Sequence, residues 1–177
     1  MNIEINQIES LVAPIVVSLG YRLVRLSFVK NNENEKLQIM IEYKEAYEMN
    51  LLNDGGITAK DCAAVSRELS LTIEQSNFFS DFLELEISSP GLDRYLLNIE
   101  DFKRFKQFEM KIKIKKEKHG VKKFIGIINK IESNKISFET NLGDFNLDIE
   151  EIKVAKLNIT DDLISKSSIH KLSGLTN

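Results

Sequence analysis

The apolar residues of this 177-residue chain change their period partway along it. Near the start, Ile8, Leu11, Val12, Ile15, Val16 and Leu19 recur at intervals of three and four, which is one face of a helix. From Met110 onward the period is two, with Met110, Ile112 and Ile114 alternating with Lys111, Lys113 and Lys115. Helices mixed with strands, followed by short strands alone, predict an α+β unit and then an all-β unit. Charge changes at the same junction. Residues 1–92 hold 7 Lys+Arg against 14 Asp+Glu, a net of −7, and residues 93–177 hold 17 against 13, a net of +4. Between them lies Leu85-Glu86-Ile87-Ser88-Ser89-Pro90-Gly91-Leu92-Asp93-Arg94, where an alternating strand runs into a turn of structure-breaking residues. This predicts an acidic domain over 1–92, a basic domain over 93–157 and a mobile tail over 158–177.

In the first domain, Asn6 and Glu9 form a candidate capping pair, Gly20 a stop, and Pro14 predicts a kink. Residues 21–30 and 37–43 alternate as strands around the polar turn 31–34, and a long connection covers 44–55. Thr58 and Asp61 have capping-box spacing and open a helix whose stripe is Cys62, Val65, Leu69 and Ile73. Residues 82–88 make a third strand. The order helix-strand-strand-helix-strand predicts a two-layer domain, with two helices on one face of an antiparallel sheet. In the second domain a short helix over 98–105 precedes strands at 110–115, 124–131, 135–140 and 145–149, with 154–157 closing the set. Tight turns between short strands predict a small β-barrel.

Composition narrows the function. An apolar content of 42% suffices for packed cores. No apolar run approaches the ~18 residues of a membrane span, and the N-terminus lacks the basic start and apolar core of a signal peptide. A single Cys excludes an internal disulfide and fits a reducing compartment. The expectation is a cytoplasmic protein without membrane contact.

The strongest candidate for chemistry is a basic block. Residues 102–130 hold 11 Lys+Arg and two acids, Glu109 and Glu117. Period two puts Lys111, Lys113 and Lys115 on one face of a strand. Lys116, Lys118, Lys122 and Lys123 fall on the connection around Gly120. Such a patch meets phosphate by counterion release, and Lys, a point charge, suits backbone attraction more than base reading. The plainer alternative is a solvated strand face beside a flexible loop.

Other features point away from catalysis. Cys62 sits on an apolar stripe as a small hydrophobe. His119 and His170 lack partners at metal-ligand spacing. Gly55-Gly56 lacks the rest of a nucleotide loop. Glu84 and Glu86 belong to an acidic strand face, and Ser88 and Ser89 have no base nearby in sequence. No enzyme activity, cofactor or metal is expected. In the turn, Pro90 fixes a dihedral and Gly91 permits a positive one. Ser88 through Arg94 thus read as an interdomain corner, with Asp93 and Arg94 free to pair with neighbours or, for Arg94, to touch a partner.

The stretch from Leu85 to Arg94, with Asp101-Phe102 and Arg104-Phe105 after it, resembles the signature of the bacterial ribosome maturation factor RimP family. Further matches are Ala13-Pro14, the run from Leu19 to Val24, Gly56-Ile57-Thr58, Asp61-Cys62, Ser66-Arg67, the run from Ile149 to Ile152, and Lys156-Leu157. Together they span residues 6–157. Tyr95 stands where the family has Pro, and Gln107 where it has Gly. The resemblance implies an SH3-like or Sm-like barrel after the α/β domain. It also implies a non-enzymatic role in maturing the small (30S) ribosomal subunit by transient binding to the immature particle. The implied partners are rRNA and a small-subunit ribosomal protein near the decoding centre, met by a monomer. The alternative is a stand-alone Sm-like RNA-binding regulator. Such proteins work as rings and stack bases on aromatics, whereas Phe108, Phe124, Phe138 and Phe145 fall mostly on inward positions.

Overall fold

The structure, a computed structural model, describes residues 5–30, 35–49, 56–76 and 83–168. The chain divides between Pro90 and Gly91, two residues before the charge boundary.

The first unit contains α1 (Ile5–Ser18), β1 (Tyr21–Lys30), β2 (Glu35–Tyr43), α2 (Lys44–Glu48), α3 (Ala59–Gln75) and β3 (Leu83–Ser88). Helix α1 buries Ile8, Val12 and Val16 and runs without a break through Pro14. Pro14 and Ser10 are both exposed, so the Ser10 carbonyl left without its amide partner faces water. Asn6, expected as the cap, lies inside the helix, and its carbonyl accepts from the Ser10 hydroxyl at 2.8 Å. Helix α3 opens with the expected box: the Asp61 amide donates to Thr58 Oγ1, and the Thr58 amide donates to Asp61 Oδ2. Val65, Leu69 and Ile73 are buried, while Cys62 is only half-buried.

The sheet order is β1-β2-β3. Strands β1 and β2 are antiparallel, but β2 and β3 run parallel, which corrects the antiparallel sheet expected from sequence. The cause is the connection. A strand that returns through a helix such as α3 comes back in the same direction, whereas a tight turn reverses it. A bulge between Leu23 and Arg25 shifts the register of β1, so Leu23 and Leu26 both pack against the core despite their odd spacing. Both helices share that core, where Ile8, Val12, Val65 and Leu69 meet Leu37, Ile39 and Ile41. The connection after β2 folds as α2, with Ala46 fully buried. Tyr47 of α2 lies under the Arg22 guanidinium at 4.0 Å, and Arg22 pairs with the fully buried Glu42 at 2.6 Å. Residues 50–55, including Gly55, and the turn at 31–34 fall outside the described residues.

The second unit contains α4 (Ile99–Arg104), β4 (Met110–Lys118), β5 (Val121–Glu132), β6 (Lys135–Thr140), β7 (Phe145–Asp148), a 3-10 turn (Ile149–Glu151), β8 (Ile152–Leu157) and α5 (Asp161–Ser168). Asn98 caps α4, its Oδ1 accepting from the Asp101 amide at 2.9 Å. The sheet is antiparallel, in the order β7-β6-β5-β4-β8. Its edge strands β7 and β8 share no ladder, so the hydrogen-bonded sheet is open where a closed barrel was expected. The four-residue β7 pairs along its length with β6, and the chain then enters the 3-10 turn before β8 begins.

Aromatics dominate this core. Phe124 stacks on Phe145 with centroids 4.5 Å apart and meets Phe138 edge-on at 5.6 Å. Part of the expected mobile tail is ordered here: α5 fully buries Leu163 and lays Lys166 over the Phe108 ring at 5.4 Å. Two apolar residues scattered in a polar stretch gave too weak a period to mark an eight-residue helix. Residues 169–177 and His170 lie outside the described residues.

Candidate nucleic-acid interface

The lysine-rich strand is β4. Met110, Ile112 and Ile114 are all buried, and Lys111 and Lys113 alternate with them on the outer face. Strand pairing extends this face sideways. Lys111 sits between Lys156 of β8 and Ile125 of β5, and Lys113 sits between Val154 of β8 and Lys123 of β5. Two like-charged pairs therefore stand directly opposite one another, Lys111 with Lys156 and Lys113 with Lys123. Like charges directly opposite one another destabilise a sheet.

These four lysines line a shallow recess of about 420 Å³ together with Ile125 and Val154. Among the described residues, Lys111, Lys113 and Lys123 take part in no ion pair or hydrogen bond. Lys156 differs. Its Nζ donates to Asp93 Oδ2 at 3.0 Å and lies 4.2 Å from the Tyr95 ring centroid. The Asp93 hydrogen bond raises its pKa.

The structure separates the other lysines expected at this site. Between Lys113 and Lys118 β4 takes five steps, while β5 takes two between Val121 and Lys123. That irregularity ends the alternation, so Lys115, Lys116 and Glu117 are exposed in succession beyond the recess. Lys115 is thus not the third member of a strict row. The expected loop around Gly120 is a two-residue hairpin turn, because His119 and Gly120 have φ of 53° and 75°, the pattern of a type I′ turn. Lys116, Lys118, Lys122 and Lys123 accordingly lie on strands. Lys118 is held by Glu151 at 2.8 Å. Lys122 is exposed and out of phase with Lys123. Sequence reasoning missed Lys156 as a member of the cluster, although its alternation with Ala155 and Leu157 carried the signal.

The turn motif is split by the division of the chain. Ser88 ends β3, Ser89 follows it, and Pro90 is buried. Gly91 has φ 67°, the positive dihedral expected of it. From there the chain is stitched to β8: the Leu157 amide donates to the Arg94 carbonyl at 3.1 Å, and the Leu96 amide donates to the Ala155 carbonyl at 3.0 Å. Arg94 is only 1% exposed, with its guanidinium 5.0 Å from the Phe105 ring centroid. It packs inside the second unit and presents nothing to an outside partner. Asp93 belongs to the same stitch through its pair with Lys156, and Leu92 before it is half-buried. Tyr95 bridges Lys156, and Gln107 sits in a turn with no positive φ.

Little else could carry chemistry. Among the described residues no group of three or more His, Cys, Asp or Glu could hold a metal ion. His119 stands edge-on to Phe145. Among the described residues no helix is long and apolar enough to cross a membrane.

Fold and charge together define the class: a two-unit α+β protein whose second unit concentrates unpaired lysines on one outer sheet face. Residues 11–93 match the family model of the RimP N-terminal domain. The first unit therefore belongs to the RimP N-terminal domain family, and the resemblance read from the sequence holds. Proteins of the RimP family are non-enzymatic ribosome maturation factors.

Proposed function

We propose that this protein matures the small ribosomal subunit by binding transiently to an immature particle in the cytoplasm. The lysine face of β8, β4 and β5 attracts rRNA phosphate. The acidic first unit meets a basic small-subunit ribosomal protein near the decoding centre. The observation that carries the reading is the pair of like-charged contacts across β4, which cost stability within the sheet and gain a purpose only when a polyanion covers them. Binding one conformer of the particle more tightly than others shifts its population, which suffices for an assembly role without chemistry.

A finer fold reading goes with this. A four-strand meander, a 3-10 turn and a last strand returning beside the first support an SH3-like or Sm-like second unit. The ring-forming RNA regulator fits less well. Phe108, Phe124, Phe138 and Phe145 are each no more than 6% exposed and offer no surface for stacking bases, so a monomer is expected.

The test is co-sedimentation with immature small subunits, mature small subunits and large subunits at two salt concentrations. The expected result is preference for immature small subunits, weakened by salt. Equal binding to both subunits, with normal rRNA processing in cells lacking the protein, would sink the reading.

A further inference from the structure

We propose that the recess among Lys111, Lys113, Lys123 and Lys156 is a subsite for one unstacked nucleotide of single-stranded RNA. This rests on the RNA reading above and adds the form of RNA that the face takes. A surface that only attracts duplex phosphate needs charge alone, because the bases are hidden in the stack. This face has more. Ile125, 45% exposed, stands at one corner of the lysine cluster and Val154 at the opposite corner across β4, so the recess joins apolar surface to its cationic lining. A single strand exposes base and sugar faces that such apolar surface can cover while its phosphates stay on the lysines.

The cationic lining also has a direction. Lys111 and Lys156 form one row and Lys113 and Lys123 the next, about 7 Å apart along β4. Asp93 already shares the charge of Lys156, so Lys111, Lys113 and Lys123 supply most of the attraction. On the other side Ile125 also borders a second recess, which Ile127, Glu109 and Glu139 line. Its carboxylates repel phosphate. A bound strand is thereby confined to the β8–β4–β5 side, and Ile127, 42% exposed, serves as a matched control for Ile125.

The experiment compares the full chain with two variants, Ile125→Thr combined with Val154→Thr, and Ile127→Thr. Each is titrated with a short single-stranded RNA and with the same strand annealed to its complement. Threonine keeps the β-branched shape, and circular dichroism checks the fold. The parent should prefer the single strand. The double variant should lose affinity for it by roughly 3- to 10-fold with an unchanged salt slope, since no charge is removed. Ile127→Thr should match the parent. Equal binding of both RNA forms, unaffected by the double variant, would overturn the subsite and leave the phosphate reading intact. No binding of either form at low salt would overturn both. Polyglutamate that displaces the single strand, and loses affinity by the same factor in the double variant, would assign the recess to an acidic protein instead.

Discussion

Asp61 gathers four hydrogen bonds: from the Tyr21 hydroxyl at 2.7 Å, the Tyr43 hydroxyl at 3.0 Å, the Thr58 amide at 2.8 Å and the Thr58 hydroxyl at 2.6 Å. Burial pushes its carboxyl up, but the bonds from Thr58, Tyr21 and Tyr43 outweigh that and hold it at about 2, below its ordinary 3.8. A depressed carboxyl stabilises the fold above its unfolded pKa and ceases to do so as pH falls through its folded pKa. The thermal midpoint of the first unit should therefore drop between about pH 4 and pH 2, and Asp61→Asn should flatten that drop; a scan of unfolding against pH reads both. Half of this cluster was legible in the sequence. The Thr58–Asp61 spacing announces a capping box, but the tyrosines come from strands far along the chain, where no local pattern reaches. Gly126 carries a different constraint. A β-carbon there would meet the Glu139 carbonyl and a Thr140 methyl, each at 2.8 Å, so Gly126→Ala should cost about 1–3 kcal/mol in a urea titration. At Gly91 the nearest atom, Asp93 Oδ1, is 3.7 Å away, and only the positive φ resists substitution. Gly91→Ala should cost about 1–2 kcal/mol.

At the level of elements, the hairpin of β4 and β5 decides which lysines act together. Replacing Lys111, Lys113 and Lys123 with Gln should flatten the log–log salt dependence of RNA binding by roughly 2–3. Replacing Lys115, Lys116 and Lys122 should flatten it less, because the irregularity after Lys113 carries them away from the recess. The first set should also raise the thermal midpoint slightly, since it removes the Lys113–Lys123 and Lys111–Lys156 repulsions. A flattened slope with lowered stability would mean the lysines support the fold instead. Period two made β4 and its alternation readable from sequence, as period 3.6 did for α1 and α3. What it could not show is where an element breaks step. The bulge in β1 and the long run of β4 past Lys113 insert residues without altering composition, and they move side chains to positions that a strict alternation denies them. The parallel pairing of β2 and β3 was hidden for another reason: strand direction follows from the connection, and much of the text before α3 had no clear period.

For the molecule as a whole, the split in charge predicts a split in binding. A fragment of residues 1–92, with its net charge of −7, should bind a basic ribosomal protein and leave RNA alone, because its field repels phosphate. A pull-down with each partner checks this, and RNA binding by the fragment equal to that of the full chain would show the split misread. The junction was the most legible feature of all, because a turn sequence and a charge reversal coincide within two residues of the observed division. The fate of the residues just beyond it was not, since nothing local tells a free linker from one paired across the chain. Tyr95 bridges Lys156, and Arg94 and Leu96 exchange backbone bonds with Leu157 and Ala155, so a three-residue segment shields the outer margin of β8 over Ala155–Leu157. A recombinant second unit begun at Asn98 would lose that shield. It would lose the buried Leu96 and Arg94 but keep its aromatic core and its lysines, yet present bare amides and carbonyls along β8, a template on which copies add edge to edge. Such a protein should self-associate on a sizing column, while one begun at Gly91 should elute as a single copy.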